Sequence, residues 1–301
     1  MSGDYLVRAT AHNGLVRAFA INATGVVAEL NRRHQTIPVV TAAIGRLATG
    51  ALLFGAMLKE SDHLVTVRLQ GNGPAGTLLA TANGIGGVRG LVANPQPDVE
   101  QVRDGKLDVS AAVGTAGHLT VTRDLGLGQP YIGTVEIVSG EVGEDLAHYL
   151  ARSEQVPSAV GIGVFVNADG SVEAAGGYLV QLLPGVTDRE AARIENVIRD
   201  LPHPAVMLRA GESPEQILHR IFGPHHQILT QRDVRFHCPC SADRAERAIM
   251  MLGPDAVADM IEEGTHRGGA DVICEFCKER YLIPLSSLRD TLDSLRGRAS
   301  A

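Results

Sequence analysis

The protein has few cysteines, no excess of basic residues and no long apolar run. No cysteine precedes Cys238, and all four cysteines fall between Cys238 and Cys277. In a reducing compartment, this clustering favours a metal or redox role over a structural disulfide framework. The formal net charge is −7, which argues against a protein that binds nucleic-acid phosphates through a basic face.

Targeting and enzyme signals are also missing. The first five residues lack the basic start and apolar run of a secretory signal. The longest uncharged apolar stretch, residues 47–58, is too short to cross a bilayer and predicts a buried helix. No Walker A motif, Ser/His/Asp arrangement or carboxylate pair stands out. We therefore expect a cytoplasmic protein that contacts no membrane, has no ATP site and is not an enzyme.

The first part of the chain mixes strand and helix patterns. Alternating apolar residues on both sides of a turn at residues 12–14 predict paired strands, and helices are predicted over residues 24–35 and 38–60. Further strands follow up to about residue 183, with a helix over residues 142–153 that Ser139 is predicted to cap. These patterns predict an α+β fold, a mostly antiparallel sheet with packed helices.

At Val186 the strand patterns stop and helix-capping motifs begin, which marks the end of this part. Thr187 and Ser213 each begin a capping box, which predicts helices in a connector with too few apolar positions for a core of its own. We expect this connector to lie on a neighbour. The division predicted from the sequence is an N-terminal α+β core domain over residues 1–185, a helical linker over 186–231 and a small C-terminal zinc-binding domain over 232–301.

Short elements are predicted for the C-terminal domain. Glycines end two helices over residues 241–252 and 254–263, a hairpin covers 272–283, and a final helix covers 285–295.

The four cysteines form two close pairs, Cys238-Pro239-Cys240 and Cys274-Glu275-Phe276-Cys277, with residues 241–273 between them. Two pairs that each occupy one tight turn can place four sulfur atoms at tetrahedral corners about 2.3 Å from a zinc ion. The predicted metal ligands are therefore Cys238, Cys240, Cys274 and Cys277, with one Zn²⁺ per chain. His237 could replace one sulfur, but four thiolates complete the shell and make it a neighbour. The alternatives are four buried free thiols or two accidental cysteine pairs, and the spacing favours zinc over both.

Such a site is expected to respond to oxidants. Zinc keeps its cysteine ligands as thiolates, which peroxide attacks, and oxidation removes ligands so that the metal leaves. Zinc binding is worth on the order of 10 kcal/mol in small modules, comparable to the stability of a whole small domain. Oxidation is therefore expected to unfold the C-terminal domain. The linker would then lose a surface to pack on and expose apolar residues, namely Ile194, Val197, Ile198, Val206, Leu208, Ile217, Leu218 and Ile221.

Two other functions compete for the cysteine motif. A zinc ribbon that binds nucleic acid needs positive charge, but residues 232–301 carry ten Lys and Arg against twelve Asp and Glu. A thiol-disulfide oxidoreductase places CxxC at a helix N-terminus, whereas Cys274 follows a strand-like segment. A zinc-ribbon regulatory or nucleic-acid-binding protein is kept as the alternative.

Three weaker motifs have ordinary explanations. Residues 71–76 fit G-x-G-x-x-G, but a strand pattern follows where a dinucleotide site needs a helix, so a hairpin turn is predicted. His225 and His226 could bind metal but are interpreted as an exposed pair. The acidic cluster Glu141, Glu144 and Asp145 complements a helix dipole.

The sequence resembles the redox-regulated 33-kDa heat-shock chaperone family of bacteria, whose hallmark is a CxC motif followed by a CxxC motif. The resemblance covers nearly the whole chain. The segments that carry it include residues 8–10, 113–128, 139–147, 153–159 and 252–264.

This resemblance implies an ATP-independent holdase that is inactive when reduced and zinc-bound. When oxidised, it would bind unfolded or partly unfolded client proteins and form a homodimer. It implies disulfides Cys238–Cys240 and Cys274–Cys277 in the oxidised state. It also implies hand-over of clients to an ATP-dependent foldase chaperone, and no nucleic-acid partner.

Overall fold

The computed structural model describes the backbone of residues 3–299 and the side chains of residues 3–296. The chain divides into two compact units, Met1–His237 and Cys238–Ala301, called the first and second units below. Both helices and strands are well represented, which confirms the predicted α+β class. The strands are β1 (Tyr5–Ala11), β2 (Val16–Asn22), β3 (Leu64–Gly71), β4 (Thr77–Asn83), β5 (Gly87–Val92), β6 (Val102–Arg103), β7 (Lys106–Leu107), β8 (Gly117–Asp124), β9 (Tyr131–Glu136), β10 (Ser158–Val166), β11 (Val172–Leu182), β12 (His226–Asp233), β13 (Arg235–Phe236), β14 (Gly269–Ile273) and β15 (Arg280–Pro284). The helices are α1 (Thr24–His34), α2 (Pro38–Gly55), α3 (Val109–Val113), α4 (Gly143–Arg152), α5 (Asp188–Asp200), α6 (Pro204–Arg209), α7 (Pro214–Phe222), α8 (Ala242–Ile249), α9 (Pro254–Gly264) and α10 (Leu285–Ala299).

The first unit is built on two main sheets. The first sheet has the strand order β10-β11-β2-β1-β12, and every neighbouring pair in it is antiparallel. The second sheet has the order β13-β5-β4-β3-β8-β9. It is antiparallel except for the short pair β13 and β5. The hairpin of β3 and β4 encloses residues 71–76, which confirms the predicted turn.

Helix α2 lies between the two sheets and forms the centre of the core, where its apolar residues pack with Ile21 of the first sheet and Val67 of the second. It has 18 residues, of which 89% are buried. Within residues 3–299 it is the one helix whose length and composition would allow it to cross a membrane. The sequence predicted that this helix ends near residue 60, but it ends at Gly55. A polar run over residues 59–62 follows, and a Cβ at Gly55 would lie 2.9 Å from the carbonyl oxygen of Asn83.

The predicted linker packs on the face of the first sheet that points away from α2. Strand alternation creates this face, because Phe19 of β2 points toward α2 whereas Ala18 and Ala20 point toward the linker helices. Both predicted capping boxes are present: the hydroxyl of Thr187 accepts from the amide of Glu190, and that of Ser213 from the amide of Gln216, each at 3.3 Å. The apolar side chains buried on the sheet are Ile194, Met207, Ile217, Leu218, Ile221 and Phe222.

This packing corrects the predicted surroundings of the linker. The sequence predicts that the linker packs on a surface that unfolding of the C-terminal domain would remove, but its buried side chains contact the first sheet. Val206 is already exposed, with 53% of its surface accessible to solvent. The linker also contributes strand β12, which was not predicted. The side chains of β12 are exposed or half-buried along its whole length, so the sequence carries no alternation that would have indicated a strand.

The acidic cluster at α4 has a more specific role than complementing a dipole. The buried carboxylate of Asp145 accepts hydrogen bonds from the backbone amides of Val138 at 2.8 Å and Val142 at 3.0 Å. Asp145 therefore takes the role that was predicted for Ser139, since its carboxylate satisfies amides that precede the helix. Glu141 forms an ion pair with Arg46 of α2 at 2.5 Å.

The second unit is small and has a thin core. It contains the hairpin of β14 and β15 and the helices α8, α9 and α10. Helix α8 begins at the predicted place, with Ser241 as its N-cap. The buried core side chains of this unit are Ala245, Ile249, Val257, Ile283, Leu288 and Leu292.

Candidate metal centre

The four cysteines come together at one point of the second unit. Their sulfur atoms all lie within 4.8 Å of one another. The Sγ atoms of Cys238 and Cys274 are 3.8 Å apart, and those of Cys240 and Cys277 are 3.2 Å apart. None of the four forms a disulfide, and Cys277 is the most buried of them, with 4% of its surface exposed.

The CxxC pair lies on the turn between β14 and β15. The backbone amide of Lys278 donates to the carbonyl of Cys274 at 2.7 Å, and the amide of Cys274 donates to the carbonyl of Glu279 at 2.9 Å. Lys278 adopts a left-handed conformation with φ of 58°. These bonds fold the turn back on itself, so that both sulfur atoms point to the same side.

The CxC pair is held in place by the start of helix α8 and by strand β15. Ser241, directly after Cys240, accepts a hydrogen bond from the amide of Arg244 at 3.3 Å and begins α8. On the second strand of the hairpin, the hydroxyl of Tyr281 donates a hydrogen bond to the sulfur of Cys240 at 3.0 Å. The site is therefore joined from three directions: the CxC segment, the CxxC turn and strand β15.

The surroundings make the sulfur atoms inequivalent. Burial alone would raise the pKa of Cys240, but hydrogen bonds from Tyr281 and from the other cysteines outweigh it and leave the pKa below its ordinary value. Burial and the hydrogen bond to Cys240 raise the pKa of Cys277. Of these two sulfur atoms, that of Cys240 thus carries negative charge more readily.

The donor set fits a tetrahedral metal ion with soft ligands. Four sulfur atoms bound at about 2.3 Å to a tetrahedral zinc ion lie about 3.8 Å from one another. The sulfur atoms of Cys238 and Cys274 lie at this separation, those of Cys240 and Cys277 are nearer, at 3.2 Å, and all four lie within 4.8 Å of one another. Thiolate sulfur is a preferred ligand of zinc in tetrahedral sites. Four cysteines that could hold a metal ion are therefore brought together as the spacing predicted.

The other candidate residues do not join this cluster in the described part of the chain. His237 belongs to the first unit, where its backbone amide donates to the carbonyl of Val88 at 2.8 Å. His226 bonds through Nδ1 to the carbonyl of Gly223 at 2.8 Å. Tyr281 is a site residue that was not predicted from the sequence. Its position four residues after Cys277, in the strand that returns past the turn, was the available signal.

Comparison with known proteins agrees with this architecture, in which an α+β unit precedes a small unit with a four-cysteine site. The family model described as Hsp33 protein matches residues 4–284. The 33 kDa chaperonin of Bacillus subtilis (strain 168) is 48% identical over 290 residues, which cover 95% of this chain and 98% of that protein. The 33 kDa chaperonin of Lactiplantibacillus plantarum is 43% identical over 296 residues, covering 98% and 99%.

A solved structure gives the same result for the fold. The crystal structure of the 33 kDa chaperonin (heat shock protein 33 homolog) from Thermotoga maritima superposes with a TM-score of 0.91 at 33% identity and covers 100% of both chains. The chain belongs to the Hsp33 family, a family of chaperones, and the resemblance found in the sequence is confirmed. Members of a chaperone family are in general not enzymes, in agreement with the lack of a catalytic motif.

Proposed function

We propose that this protein is an ATP-independent holdase chaperone that becomes active when its four cysteines are oxidised. The observation that carries the proposal is the meeting of all four sulfur atoms within 4.8 Å in a unit that has only a thin core. A metal site of this kind can decide whether the unit is folded. Membership of the family supports the chaperone class, and the cysteine geometry supports the switch.

We propose Zn²⁺ as the metal, one ion per chain in the reduced state, held by Cys238, Cys240, Cys274 and Cys277. When bound, the ion would supply fixed tetrahedral links among thiolates and no catalysis. The cysteines would in this way join the start of the second unit to its hairpin. These links would add stability to the second unit, whose hydrophobic core of six small and medium buried side chains stabilises it only in part.

Oxidation would break these links in a balanced reaction. A thiolate attacks hydrogen peroxide, the O–O bond breaks, and the products are a cysteine sulfenic acid and hydroxide. A second thiol then displaces water from the sulfenic acid and forms a disulfide. Two thiols thus give two electrons to one peroxide. A disulfide sulfur is a poor metal ligand, so the metal leaves.

Loss of the metal is expected to unfold the second unit. Structural zinc contributes on the order of 10 kcal/mol in small modules. The second unit has six buried core side chains with eight partly buried ones packed against them, and a core of this size rarely holds so short a unit without a metal or other cross-link. The first unit has its own large core around α2, so it is expected to stay folded.

The client surface is proposed to lie between the linker and the first sheet. Helices α5, α6 and α7 have 13, 6 and 9 residues, and helices this short depend on tertiary packing. Between them and Cys238 the chain passes through β12, an edge strand whose side chains are all exposed or half-buried. Strand β12 pairs with β1 along nearly its whole length but buries none of its side chains. Release of the linker would therefore expose apolar surface on both the helices and the sheet and leave the core around α2 in place. The three functional parts proposed are residues 1–185, 186–231 and 232–301.

The disulfides expected on oxidation are Cys238–Cys240 and Cys274–Cys277. In the folded unit the sulfur atoms of the other pairs are also close, 3.8 Å apart for Cys238 and Cys274 and 3.2 Å apart for Cys240 and Cys277. If the unit unfolds once the metal leaves, the whole segment 241–273 separates the members of each cross pair, whereas each sequence pair stays adjacent. Peptide mapping of the oxidised protein by mass spectrometry checks this. Detection of Cys238–Cys274 or Cys240–Cys277 would mean that the disulfides form while the unit is still folded.

We further propose a cytoplasmic location, a homodimer in the oxidised state and hand-over of clients to an ATP-dependent foldase chaperone. Each follows from the family and not from a contact within the described residues. Sedimentation of the reduced and oxidised forms tests the second of these.

The proposal is tested by light scattering of a chemically denatured client diluted into reduced, zinc-loaded protein or into oxidised protein, without ATP. We expect suppression of aggregation by the oxidised form alone. Met251 is 88% exposed and would also be oxidised by peroxide. Treatment with dithiothreitol and Zn²⁺ controls for this, because it reverses disulfides but not methionine sulfoxide. Salt-dependent binding of DNA or RNA by the reduced form, without chaperone activity, would favour the zinc-ribbon alternative.

A further inference from the structure

Tyr281 is fixed against the metal centre by its strand. It lies on β15 opposite Val272 of β14. Its side chain shares a face of the hairpin with Ile283, two residues on, which is 1% exposed in the core of the second unit. The tyrosine ring packs on this same core, and its hydroxyl reaches the sulfur of Cys240 at 3.0 Å. The direction of the hydroxyl is therefore set by packing.

We propose that Tyr281 is a positioning residue that slows the attack of Cys240 on oxidants and so sets the threshold of the switch. The biological meaning of this threshold rests on the proposed function. The effect on the sulfur itself does not, since it follows from the hydrogen bond alone.

The physical reason lies in the charge that the sulfur carries. A thiolate attacks peroxide by donating an electron pair to one oxygen, so its sulfur loses negative charge as the S–O bond forms and the O–O bond breaks. A hydrogen bond to the thiolate is strong while the sulfur is charged and weakens as that charge is transferred. It stabilises the ground state more than the transition state, and an interaction of this kind slows a reaction.

Cys240 is a suitable place for such control. Cys240 is half-buried, whereas Cys277 is 4% exposed. The CxC segment to which Cys240 belongs has a single residue between its two cysteines. If Cys240 is oxidised, the chelate that the pair would form is lost, and Cys238 alone would bind the metal more weakly. The hydroxyl of Tyr281 thus acts on a partly exposed cysteine in the pair with the shorter spacing.

The test compares wild type with Tyr281→Phe, which removes the hydroxyl and keeps the ring in the core. Both full-length proteins are loaded with Zn²⁺, and zinc release after addition of hydrogen peroxide is followed with a chromophoric chelator. We expect release about fivefold faster in the variant, the factor for partial loss of a charge-assisted hydrogen bond at the transition state. Arg280→Gln is the matched control. It removes a neighbouring side chain that faces Asp271 at 3.7 Å, and its release rate should equal that of wild type.

A second readout reports on the metal–sulfur bond without any oxidant. With Co²⁺ in place of Zn²⁺, the thiolate-to-metal charge-transfer band should move to longer wavelength in Tyr281→Phe, because the sulfur electrons are no longer stabilised by the hydroxyl. A merely structural role for the tyrosine would leave this band in place. An unchanged band together with unchanged or slower zinc release would overturn the proposal. If the oxidised wild type instead fails to suppress aggregation while both readouts respond as expected, the proposed function is wrong and the role of Tyr281 stands.

Discussion

Replacing Cys277 with serine is expected to unfold the second unit, to loosen the linker and to leave the core of the first unit around α2 folded. Cys277 is the most buried of the four cysteines, with 4% of its surface exposed. Serine is a poor ligand for zinc, so the variant loses much of a contribution on the order of 10 kcal/mol. The core of six buried side chains cannot compensate for this loss. Hydrogen-exchange mass spectrometry should show rapid exchange from residue 238 onward, faster exchange in the linker helices and β12, and wild-type protection in α2 and in the strands packed on it.

A control within the same unit separates metal loss from ordinary destabilisation. Ser241→Ala removes the N-cap of α8 next to Cys240 and should cost about 1 kcal/mol without releasing zinc. Its exchange pattern should resemble that of wild type. Full protection of the second unit in Cys277→Ser would contradict the view that the metal centre holds this unit together.

Replacing Leu218 with aspartate is expected to make the protein bind clients without oxidation. Leu218 is 0% exposed in the contact between α7 and the first sheet. An unpaired carboxylate at this place destabilises the contact by about 3 kcal/mol or more, enough to detach a nine-residue helix. The reduced, zinc-loaded variant should then suppress client aggregation and bind more of a hydrophobic dye than wild type.

Val206→Asp provides the matched control for this variant. Val206 lies in the same linker, on α6, but 53% of its surface is exposed. The same carboxylate there should leave the reduced protein inactive. Thermal melting of the first unit in Leu218→Asp shows whether its core around α2 persists. If the core persists and the reduced variant still binds no client, the linker does not cover the client surface.

The elements with strong local signals could be predicted from the sequence. The capping boxes at Thr187 and Ser213 set the starts of α5 and α7, because their side chains satisfy amides within the same turn. The cysteine cluster could be predicted for a similar reason. CxC and CxxC are local turns, and a chain with no other cysteine has few other ways to use four thiols.

Features that depend on distant parts of the chain could not be predicted in this way. Strand β12 pairs with β1, at the opposite end of the first unit's sequence, and buries no alternating face that would mark it as a strand. The capping of α4 by Asp145 depends on a turn in which Val142 takes a φ of 66°. The contact of Tyr281 with Cys240 depends on the register of the hairpin. In each case a tertiary contact decides what the local sequence leaves open.

The central claim, that oxidation of the cysteines turns on client binding, is tested most directly by a peroxide titration of the reduced, zinc-loaded protein. Suppression of client aggregation is measured at each step. Four thiols oxidised in pairs consume two equivalents of peroxide per chain. We expect suppression to rise together with zinc release, to be complete near two equivalents and to be lost again after dithiothreitol and Zn²⁺. Suppression that is already full before any peroxide is added, or absent after all zinc has been released, would contradict the claim.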